Sequence, residues 1–310
     1  MIEAIDLVKR YEDFEAVKGI SFSVKEGELM ALLGPNGAGK TSTIRMISSI
    51  LAPTSGQILV NGQDTVKEAD DVRRSIGMIT EQPGLYERMT GMEYLMFYGR
   101  LYGLQDKAIL ERGERLYKRF GMEEAIDRRL GGFSKGMKQK VGLIRAMLHN
   151  PPVLLLDEPT SAMDPRSSRQ VRDAIQELGQ DNRAIILTTH NLNEAEQLAD
   201  RIAIINDGVI VAQGTADELR RQLSGDRLMK VTCDKPLQFT LEEIATHFPE
   251  VKVESIEDCV IRYRSNNPVL HNPQMIRFLA GHGVGTVMLS EITPSLEEIY
   301  LSIVKEDPTE

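Results

Sequence analysis

The chain has 310 residues, of which 41% are hydrophobic and 27% are charged, a composition typical of folded globular proteins that excludes wholesale disorder. This length is sufficient for two domains. The formal net charge of −9 argues against a protein that binds nucleic acid over its whole surface, because phosphate contacts require an excess of lysine and arginine.

The cysteine content and the hydropathy of the chain bear on its location. Cys233 and Cys259 provide neither a disulfide framework nor the spacing of a zinc site, so we expect a reducing compartment. The first ten residues lack the apolar core of a signal peptide, and no apolar run approaches the roughly 20 residues of a spanning helix. If the protein works at a membrane, we expect another chain to span it.

Short apolar strands alternate with amphipathic helices over residues 1–224, which predicts a mixed α/β domain. The predicted strands cover residues 2–8, 20–24, 29–33, 57–60, 76–79, 153–156, 184–188, 202–206 and 209–213. A mostly helical insert is predicted from about residue 90 to residue 149. Residues 224–226, with the sequence Ser-Gly-Asp, are predicted to form a linker.

Residues 225–310 are predicted to form a second, smaller domain. Its order of elements, β-α-β-β-α-β, indicates a ferredoxin-like α+β fold. The predicted elements cover residues 228–232, 241–247, 251–255, 260–264, 273–281 and 284–290, and a last helix is predicted over residues 296–304. We expect Cys233 and Cys259 on the first and third strands, which are neighbours in such a sheet, and buried reduced thiols are favoured over a redox pair.

The strongest local signal is a glycine-rich loop between a predicted strand, residues 29–33, and a predicted helix, residues 41–50. Glycines allow successive backbone N–H groups to turn inward, and the helix N-terminus adds its positive end, so the loop can bind phosphate. Lys40 would contact the β- and γ-phosphates, and the Thr41 hydroxyl would bind Mg²⁺. The residues of the predicted nucleotide site are Gly34, Pro35, Asn36, Gly37, Ala38, Gly39, Lys40, Thr41 and Ser42.

Two carboxylates follow the apolar run at residues 153–156, which is typical of a buried parallel strand. Ligands of open α/β sheets bind at the carboxyl ends of the strands, where Asp157 and Glu158 would lie. Asp157 would hold Mg²⁺, and Glu158 would act as the general base that activates the attacking water. The alternative is a strand that ends in a solvated acidic turn.

Together these residues resemble the ABC ATPase family, and a third motif carries the resemblance further. Residues 133–137, Phe-Ser-Lys-Gly-Met, are similar to the family signature, commonly Leu-Ser-Gly-Gly-Gln. Ser134 and Gly136 match it, whereas the other three positions depart from it. Variants with lysine at the position of Lys135 resemble the drug- and lipid-export branch. The resemblance implies that this helix N-terminus faces the γ-phosphate held by the other subunit. Ser134 is also a candidate helix N-cap.

Three further positions match the family pattern. His190 follows a predicted strand and matches the switch histidine, which implies contact with the γ-phosphate and the attacking water. Residues 161–164, Ser-Ala-Met-Asp, resemble the D-loop, so Asp164 would lie near the nucleotide and the partner subunit. Tyr11 matches the aromatic residue that stacks on adenine. Outside the family context, each of these side chains could be structural.

A further position, outside the signature, also departs from the family pattern. The family has a glutamine after the strand at residues 76–79, where its Q-loop senses the metal, the water and the membrane partner. Here Glu81 stands at that position, and Gln82 follows. Our hypothesis is that Glu81, rather than Gln82, faces the nucleotide, where its carboxylate would bind Mg²⁺ or would repel the γ-phosphate.

The resemblance covers residues 1–224 and implies an ATP- and Mg²⁺-dependent ATPase that acts as a head-to-tail homodimer across two ATP molecules. It also implies a separate permease, a peripheral position on the cytoplasmic face of the membrane, and export of drugs, lipids or similar solutes. Residues 294–300 are similar to the terminal segment of single-domain exporter ATPases. The alternatives are a non-transport ABC ATPase of DNA repair or translation, a module that holds ATP without hydrolysing it, and a kinase. The second domain could stabilise the dimer or regulate turnover.

Overall fold

The structure, a computed structural model, describes residues 1–223, 226–292, 297 and 300. Its strands are β1 (Ile2–Tyr11), β2 (Phe14–Val24), β3 (Leu29–Leu33), β4 (Ser55–Val60), β5 (Gln63–Asp64), β6 (Ile76–Ile79), β7 (Val153–Asp157), β8 (Ala184–Thr189), β9 (Arg201–Asn206), β10 (Val209–Gly214), β11 (Arg227–Cys233), β12 (Val251–Glu257), β13 (Val260–Ser265) and β14 (Thr286–Ile292). Its α-helices are α1 (Lys40–Ile47), α2 (Ala69–Ser75), α3 (Gly91–Leu101), α4 (Asp106–Arg119), α5 (Lys135–Met147), α6 (Pro165–Gly179), α7 (Leu192–Leu198), α8 (Ala216–Leu223), α9 (Leu241–His247) and α10 (Pro268–Gly281). Short 3-10 helices cover Glu123–Ala125 and Leu130–Gly132.

The chain divides into two compact units, Met1–Ala216 and a second unit that begins at Asp217. The domain boundary at residue 224 stays a prediction, because residues 224 and 225 lie outside the described residues. The predicted helix over residues 296–304 and the segment 294–300 also fall almost entirely outside them. Among the described helices, none combines the length and the apolar character that crossing a bilayer requires.

The first unit contains two sheets. A four-stranded antiparallel sheet has the order β2-β1-β4-β5, and a six-stranded sheet has the order β10-β9-β3-β8-β7-β6. In the larger sheet the strands from β9 to β6 are parallel, and β10 pairs with β9 in the antiparallel sense. The predicted mixed α/β architecture is therefore confirmed. The parallel strands place their carboxyl ends at one edge of the sheet, where ligands bind in such folds.

The central strands of the larger sheet are buried on both faces, so they separate two hydrophobic cores. Leu154 and Leu156 of β7 pack into a core that also contains residues of α3 to α6. Val153 and Leu155, which point the opposite way, pack into a core shared with α1 and the smaller sheet. This double burial explains why these strands have continuous apolar sequences rather than alternating patterns.

The second unit consists of an antiparallel sheet in the order β12-β13-β11-β14, with α9 and α10 in the connections. This order and the sequence β-α-β-β-α-β are those of the predicted ferredoxin-like fold. Its core contains Val231 and Tyr263 from the sheet, Ile244 from α9, and Met275 and Leu279 from α10.

The cysteine prediction is partly wrong. Cys233 is buried at the end of β11, and burial raises the pKa of its thiol. Cys259, however, lies in the turn between β12 and β13 rather than on a strand, and it is only half-buried. The Cys233 N–H donates to the Cys259 carbonyl at 2.7 Å, and both thiols are free.

Several predicted element ends are wrong for local reasons. Helix α1 stops at Ile47 rather than at residue 50, because Ser49 adopts a left-handed φ of 57°. Helix α10 begins at Pro268 rather than at residue 273, because Asn267 caps it through the Leu270 N–H and proline is favoured in the first turn. The sequence does not predict α2, because Val72 is its only buried side chain.

His149, two residues after the end of α5, is a half-buried base. Its ring stacks on Tyr102 at a centroid distance of 3.9 Å, and its Nε2–H donates to the Ile76 carbonyl at 3.2 Å. Burial is the main cause that lowers its pKa to about 4, although the Ile76 carbonyl opposes this shift. At neutral pH the folded chain therefore holds this ring uncharged.

We predict that His149 makes the fold sensitive to acid. Between pH 6.5 and 4 the unfolded chain binds a proton at this side chain and the folded chain does not, so the free energy of unfolding falls as pH falls through this window. Replacement His149→Phe keeps the stacking and removes the titration. In urea denaturation, the free energy of unfolding of the wild type should fall by about 1 kcal/mol more than that of the variant between pH 7 and 5. This figure is reduced because the ring is partly exposed. Equal losses in the two proteins would contradict the assignment.

Candidate functional site

The glycine-rich loop connects β3 to α1 at the carboxyl edge of the larger sheet. Gly34 and Gly39 are required by close packing: a Cβ at Gly34 would lie 2.2 Å from the Ile205 carbonyl oxygen, and one at Gly39 would lie 2.4 Å from that of Ala16. Gly39 also has a φ of 98°, which favours glycine. The N-terminus of α1 can therefore present unobstructed backbone N–H groups to an anion.

Lys40 begins α1, and its side chain is only 6% exposed. Its ammonium donates to the carbonyls of Gly34 at 2.7 Å and Pro35 at 3.0 Å, and it lies 3.3 Å from Glu158 Oε1. That carboxylate oxygen is itself buried and accepts no hydrogen bond from the described residues. The loop lysine and the acidic strand end thus meet in one place, as the sequence predicts.

Asp157, the last residue of β7, lies among hydroxyl groups. Thr188 Oγ1 donates to Asp157 Oδ1 at 2.6 Å, and Thr41 Oγ1 donates to the same oxygen at 3.4 Å. Hydroxyl and carboxylate oxygens are the hard ligands that Mg²⁺ prefers. The residues present therefore fit a magnesium ion at the start of α1.

Glu158 has an unusual backbone that Thr188 supports. Its φ is 48°, and a left-handed conformation costs a residue with a Cβ about 1 kcal/mol. Its N–H donates both to the carbonyl and to the side-chain hydroxyl of Thr188, each at 3.1 Å. Its side chain accepts from His190 Nδ1 at 2.8 Å, which orients the two side chains relative to each other.

The sequence pattern of the ABC transporter family matches residues 17–161. The ABC transporter ATP-binding protein NatA of Bacillus subtilis is 42% identical over 71% of this chain and 91% of its own length. The linearmycin resistance ATP-binding protein LnrL of the same organism is 33% identical over 98% of both chains.

The chain belongs to the ABC transporter family.

Solved ABC proteins share the fold. An ATP-binding subunit of an ABC transporter superimposes with a TM-score of 0.66 at 35% identity, covering 72% of this chain and 93% of that one. A bacterial ABC transporter cassette solved as a dimer gives a TM-score of 0.63 at 25% identity, covering 69% of this chain and 98% of that one. This ABC protein is thus an ATP-binding and ATP-hydrolysing transporter subunit, and the relatives favour this role over DNA repair or translation.

Glu81, the predicted Q-loop residue, contacts the predicted D-loop. Glu81 Oε1 accepts from Ser161 Oγ at 3.0 Å, whereas the Gln82 carbonyl accepts from Thr80 Oγ1 at 2.7 Å. Both Glu81 and Gln82 are exposed. A role for Glu81 in binding metal stays a prediction.

Tyr11 lies beside the phosphate loop. It ends β1 with 41% of its surface exposed, and its hydroxyl is 3.3 Å from Ser42 Oγ on α1. Lys9 Nζ lies 5.2 Å from the centre of its ring. An exposed ring at this position is suited to stack on a base, so the adenine contact stays a well-placed prediction.

The signature and D-loop residues act as helix caps within this chain. Ser134 caps α5 by accepting from the Met137 N–H at 3.3 Å, and Asp164 caps α6 by accepting from the Arg166 and Ser167 N–H groups at 3.0 Å. A hydrogen bond from the Ser167 side chain is the main cause that lowers the pKa of Asp164, and the backbone bonds from Ser167 and Arg166 add to this shift. In the described part of the chain, no hydrogen bond or ion pair joins Ser134 to Lys40, Asp157 or Glu158.

The structure adds residues that the sequence analysis does not assign. Thr188 holds Asp157 and Glu158, and Thr160 and Thr189 both donate to the buried Glu194 at 2.6 Å. Threonines at a strand end are a weak signal, because they also suit ordinary strands. Glu194 stands three residues after Asn191, a spacing that suggests an exposed helix cap rather than a buried carboxylate.

A second polar cluster is structural. In the second unit, Ser265 Oγ lies 2.7 Å from His271 Nδ1, and His271 Nε2 lies 3.2 Å from Glu250. These residue types are those of a hydrolytic triad, but Ser265 is completely buried and its Oγ accepts from the Asn267 N–H. A hydroxyl that no substrate can reach is not a nucleophile.

We predict that Thr188 supports catalysis. Replacement Thr188→Val preserves the shape but leaves Asp157 without its 2.6 Å donor, which should destabilise the fold by about 1–3 kcal/mol. The kcat for ATP hydrolysis should fall about tenfold or more, since Glu158 also loses an acceptor for its N–H. The control Thr188→Ser keeps the hydroxyl and should retain most activity. Unchanged kcat in purified Thr188→Val would refute the assignment.

Proposed function

We propose that two copies of this chain bind two ATP molecules head to tail and that hydrolysis drives a separate membrane permease. The observation that carries the proposal is that the predicted site residues fall into two separate groups within the chain. Lys40, Asp157, Glu158 and His190 are joined to one another or to the phosphate loop by direct contacts. Among the described residues, no hydrogen bond or ion pair joins Ser134 or Gly136 of the predicted signature to them. A second copy in the opposite orientation would supply the missing half. The related cassette solved as a dimer supports the association of two copies.

In this proposal the residues of one chain divide the work. The loop from Gly34 to Ser42 binds the phosphates through backbone N–H groups and the Lys40 ammonium, and Tyr11 stacks on adenine. Thr41 and Asp157 would hold Mg²⁺, with Glu81 as a further candidate. The metal would neutralise charge that develops on the phosphates.

Hydrolysis then follows from the pairing of Glu158 with His190. Glu158 accepts a proton from the attacking water, whose oxygen bonds to the γ-phosphorus as the bond to ADP breaks. His190, 2.8 Å away, holds the carboxylate in position. The product phosphate no longer links the two copies, so the dimer opens, a local electrostatic change with a global consequence.

We predict that Glu158→Gln separates ATP binding from hydrolysis. The amide keeps the shape but cannot accept the proton, so kcat should fall about 100-fold or more while ATP still binds. A dimer should accumulate with ATP and Mg²⁺ in analytical ultracentrifugation. Lys40→Ala should bind no ATP and stay monomeric.

The exposed Glu177 on α6 provides the matched control, because Glu177→Gln makes the same chemical change outside the site. This control should hydrolyse ATP at the wild-type rate. Turnover in Glu158→Gln equal to that of the control would exclude Glu158 as the base.

We further propose that the permease exports drugs, lipids or similar amphipathic solutes and that the protein works on the cytoplasmic face of the membrane. The similarity to LnrL, a linearmycin resistance protein, extends over nearly the whole of both chains and supports export. The negative net charge supports a function without nucleic acid.

Export can be tested in the source organism. A chromosomal Lys40→Ala change should lower the minimal inhibitory concentration of at least one amphipathic antibiotic in a panel that includes linearmycin, bacitracin and daunorubicin. The tagged wild-type protein should copurify with a polytopic membrane protein from detergent-solubilised membranes. Unchanged sensitivity across the panel, together with loss of uptake of a nutrient, would contradict export.

A further inference from the structure

A buried carboxylate lies directly behind the hydrolytic pair, and none of the roles above uses it. Glu194, in the first turn of α7, is 1% exposed. Its Oε1 accepts from Thr160 Oγ1 and its Oε2 from Thr189 Oγ1, both at 2.6 Å. Each carboxylate oxygen therefore has a short bond to a hydroxyl from a different segment of the chain.

The two hydroxyls belong to the segments that carry the hydrolytic residues. Thr160 follows Glu158 by two positions, in the turn after β7, and Thr189 directly precedes His190 at the end of β8. The Thr189 carbonyl also accepts from the Gly34 N–H at 3.2 Å. Glu194 thus connects the turn after Glu158 to the end of β8, which precedes His190. The end of β8 is in turn bonded to the phosphate loop.

The local structure directs this carboxylate inward. A glutamate at the third position of a helix commonly turns back to the N–H of the capping residue. Here that N–H, of Asn191, donates instead to Thr189 Oγ1 at 3.0 Å, and Asn191 Oδ1 accepts from the Glu194 N–H at 3.2 Å. The Glu194 side chain is therefore available to bridge the two threonines.

Burial of the Glu194 carboxyl group disfavours its charged form. Loss of water raises the pKa of Glu194, the hydroxyls of Thr160 and Thr189 oppose the shift, and Glu158 adds to it. The buried carboxyl group bonds both segments at once, whereas an apolar side chain would fill the same space without fixing either segment.

We propose that Glu194 is a positioning residue for ATP hydrolysis. It holds Glu158 and His190 at contact distance through its hydrogen bonds to Thr160 and Thr189. The proposal rests on the hydrolytic roles given above to Glu158 and His190. Glu194 touches neither nucleotide nor water in this scheme and acts only through the geometry of the pair.

Three variants of the full-length protein test it. Glu194→Ala should lower kcat about tenfold or more while the KM and the Kd for ATP stay within about twofold, because the phosphate loop keeps its own contacts. Glu194→Gln should recover most of the activity, since an amide can accept from Thr189 and donate to the Thr160 hydroxyl. Arg183→Gln is the stability control: Arg183 is bonded to Asn150 and Pro151 at the opposite end of β8. It should lose thermal stability with kcat unchanged.

A spectroscopic measurement separates positioning from general destabilisation. The ring signals of His190, assigned by their loss in His190→Gln, should move in Glu194→Ala and stay near their wild-type position in Glu194→Gln and Arg183→Gln. In a Glu158→Gln background, Glu194→Ala should cause no further loss of kcat, because the residue it positions is already inactive.

Two results would overturn the proposal. One is a kcat in Glu194→Ala that falls only in proportion to the folded fraction, with His190 signals unmoved. The other is that Glu194→Ala lowers kcat by the same factor in the Glu158→Gln background as it does in the wild-type background. If Glu158→Gln alone leaves hydrolysis intact, the role proposed for Glu158 is wrong. If Glu158→Gln is inactive but Glu194→Ala is fully active, only the positioning role of Glu194 is wrong.

Discussion

The burial of the Lys40 ammonium at the carboxyl edge of a parallel sheet is the constraint on which the site depends. A cation with 6% exposure is tolerated only when acceptors surround it, and the carbonyls of Gly34 and Pro35 and the carboxylate of Glu158 do so. Those carbonyls can turn toward the lysine because Gly34 lets the loop pass close to the backbone of Ile205. The apolar strands β3 and β7 fix the distance between the loop and the carboxylate.

The sequence predicts the parts of this site that one short segment determines. The phosphate loop and the pair Asp157 and Glu158 follow apolar runs, and their spacing fixes both their chemistry and their place at a strand end. The ferredoxin-like order of the second unit is predictable for the same reason, since each element has a clear period. Burial on both faces makes β7 and β8 recognisable from composition alone.

What the sequence does not predict depends on contacts between distant segments. Thr188 and Glu194 are polar residues with ordinary local roles, and only the pairing of β7 with β8 brings them to Asp157 and to Thr160. The turn position of Cys259 likewise follows from the length of the β12–β13 hairpin, which places the reversal at Asp258 with its φ of 49°. Local patterns give the identity of a strand and leave its neighbours undetermined.

Two of the departures from the family pattern, Lys135 and Glu81, bond to the same loop. Lys135, within the signature, donates to the carbonyls of Ser161 at 2.7 Å and Ala162 at 3.1 Å, and Glu81 accepts from the Ser161 hydroxyl. Ala162 has a φ of 50°, so these bonds hold a strained turn. Both departures from the family pattern therefore contribute hydrogen bonds to the same turn.

Threonine hydroxyls at or just after strand ends hold two of the carboxylates near this site. The Thr188 hydroxyl donates to Asp157, and the hydroxyls of Thr160 and Thr189 donate to Glu194, each at 2.6 Å. Threonine has one stiff side-chain torsion, so a hydroxyl attached to a buried strand is placed with little loss of conformational entropy. Longer donors such as lysine would lose more entropy and would add charge beside the phosphates. The chain therefore uses short neutral donors to orient Asp157 and Glu194, while Lys40 supplies the buried ammonium beside the phosphate loop.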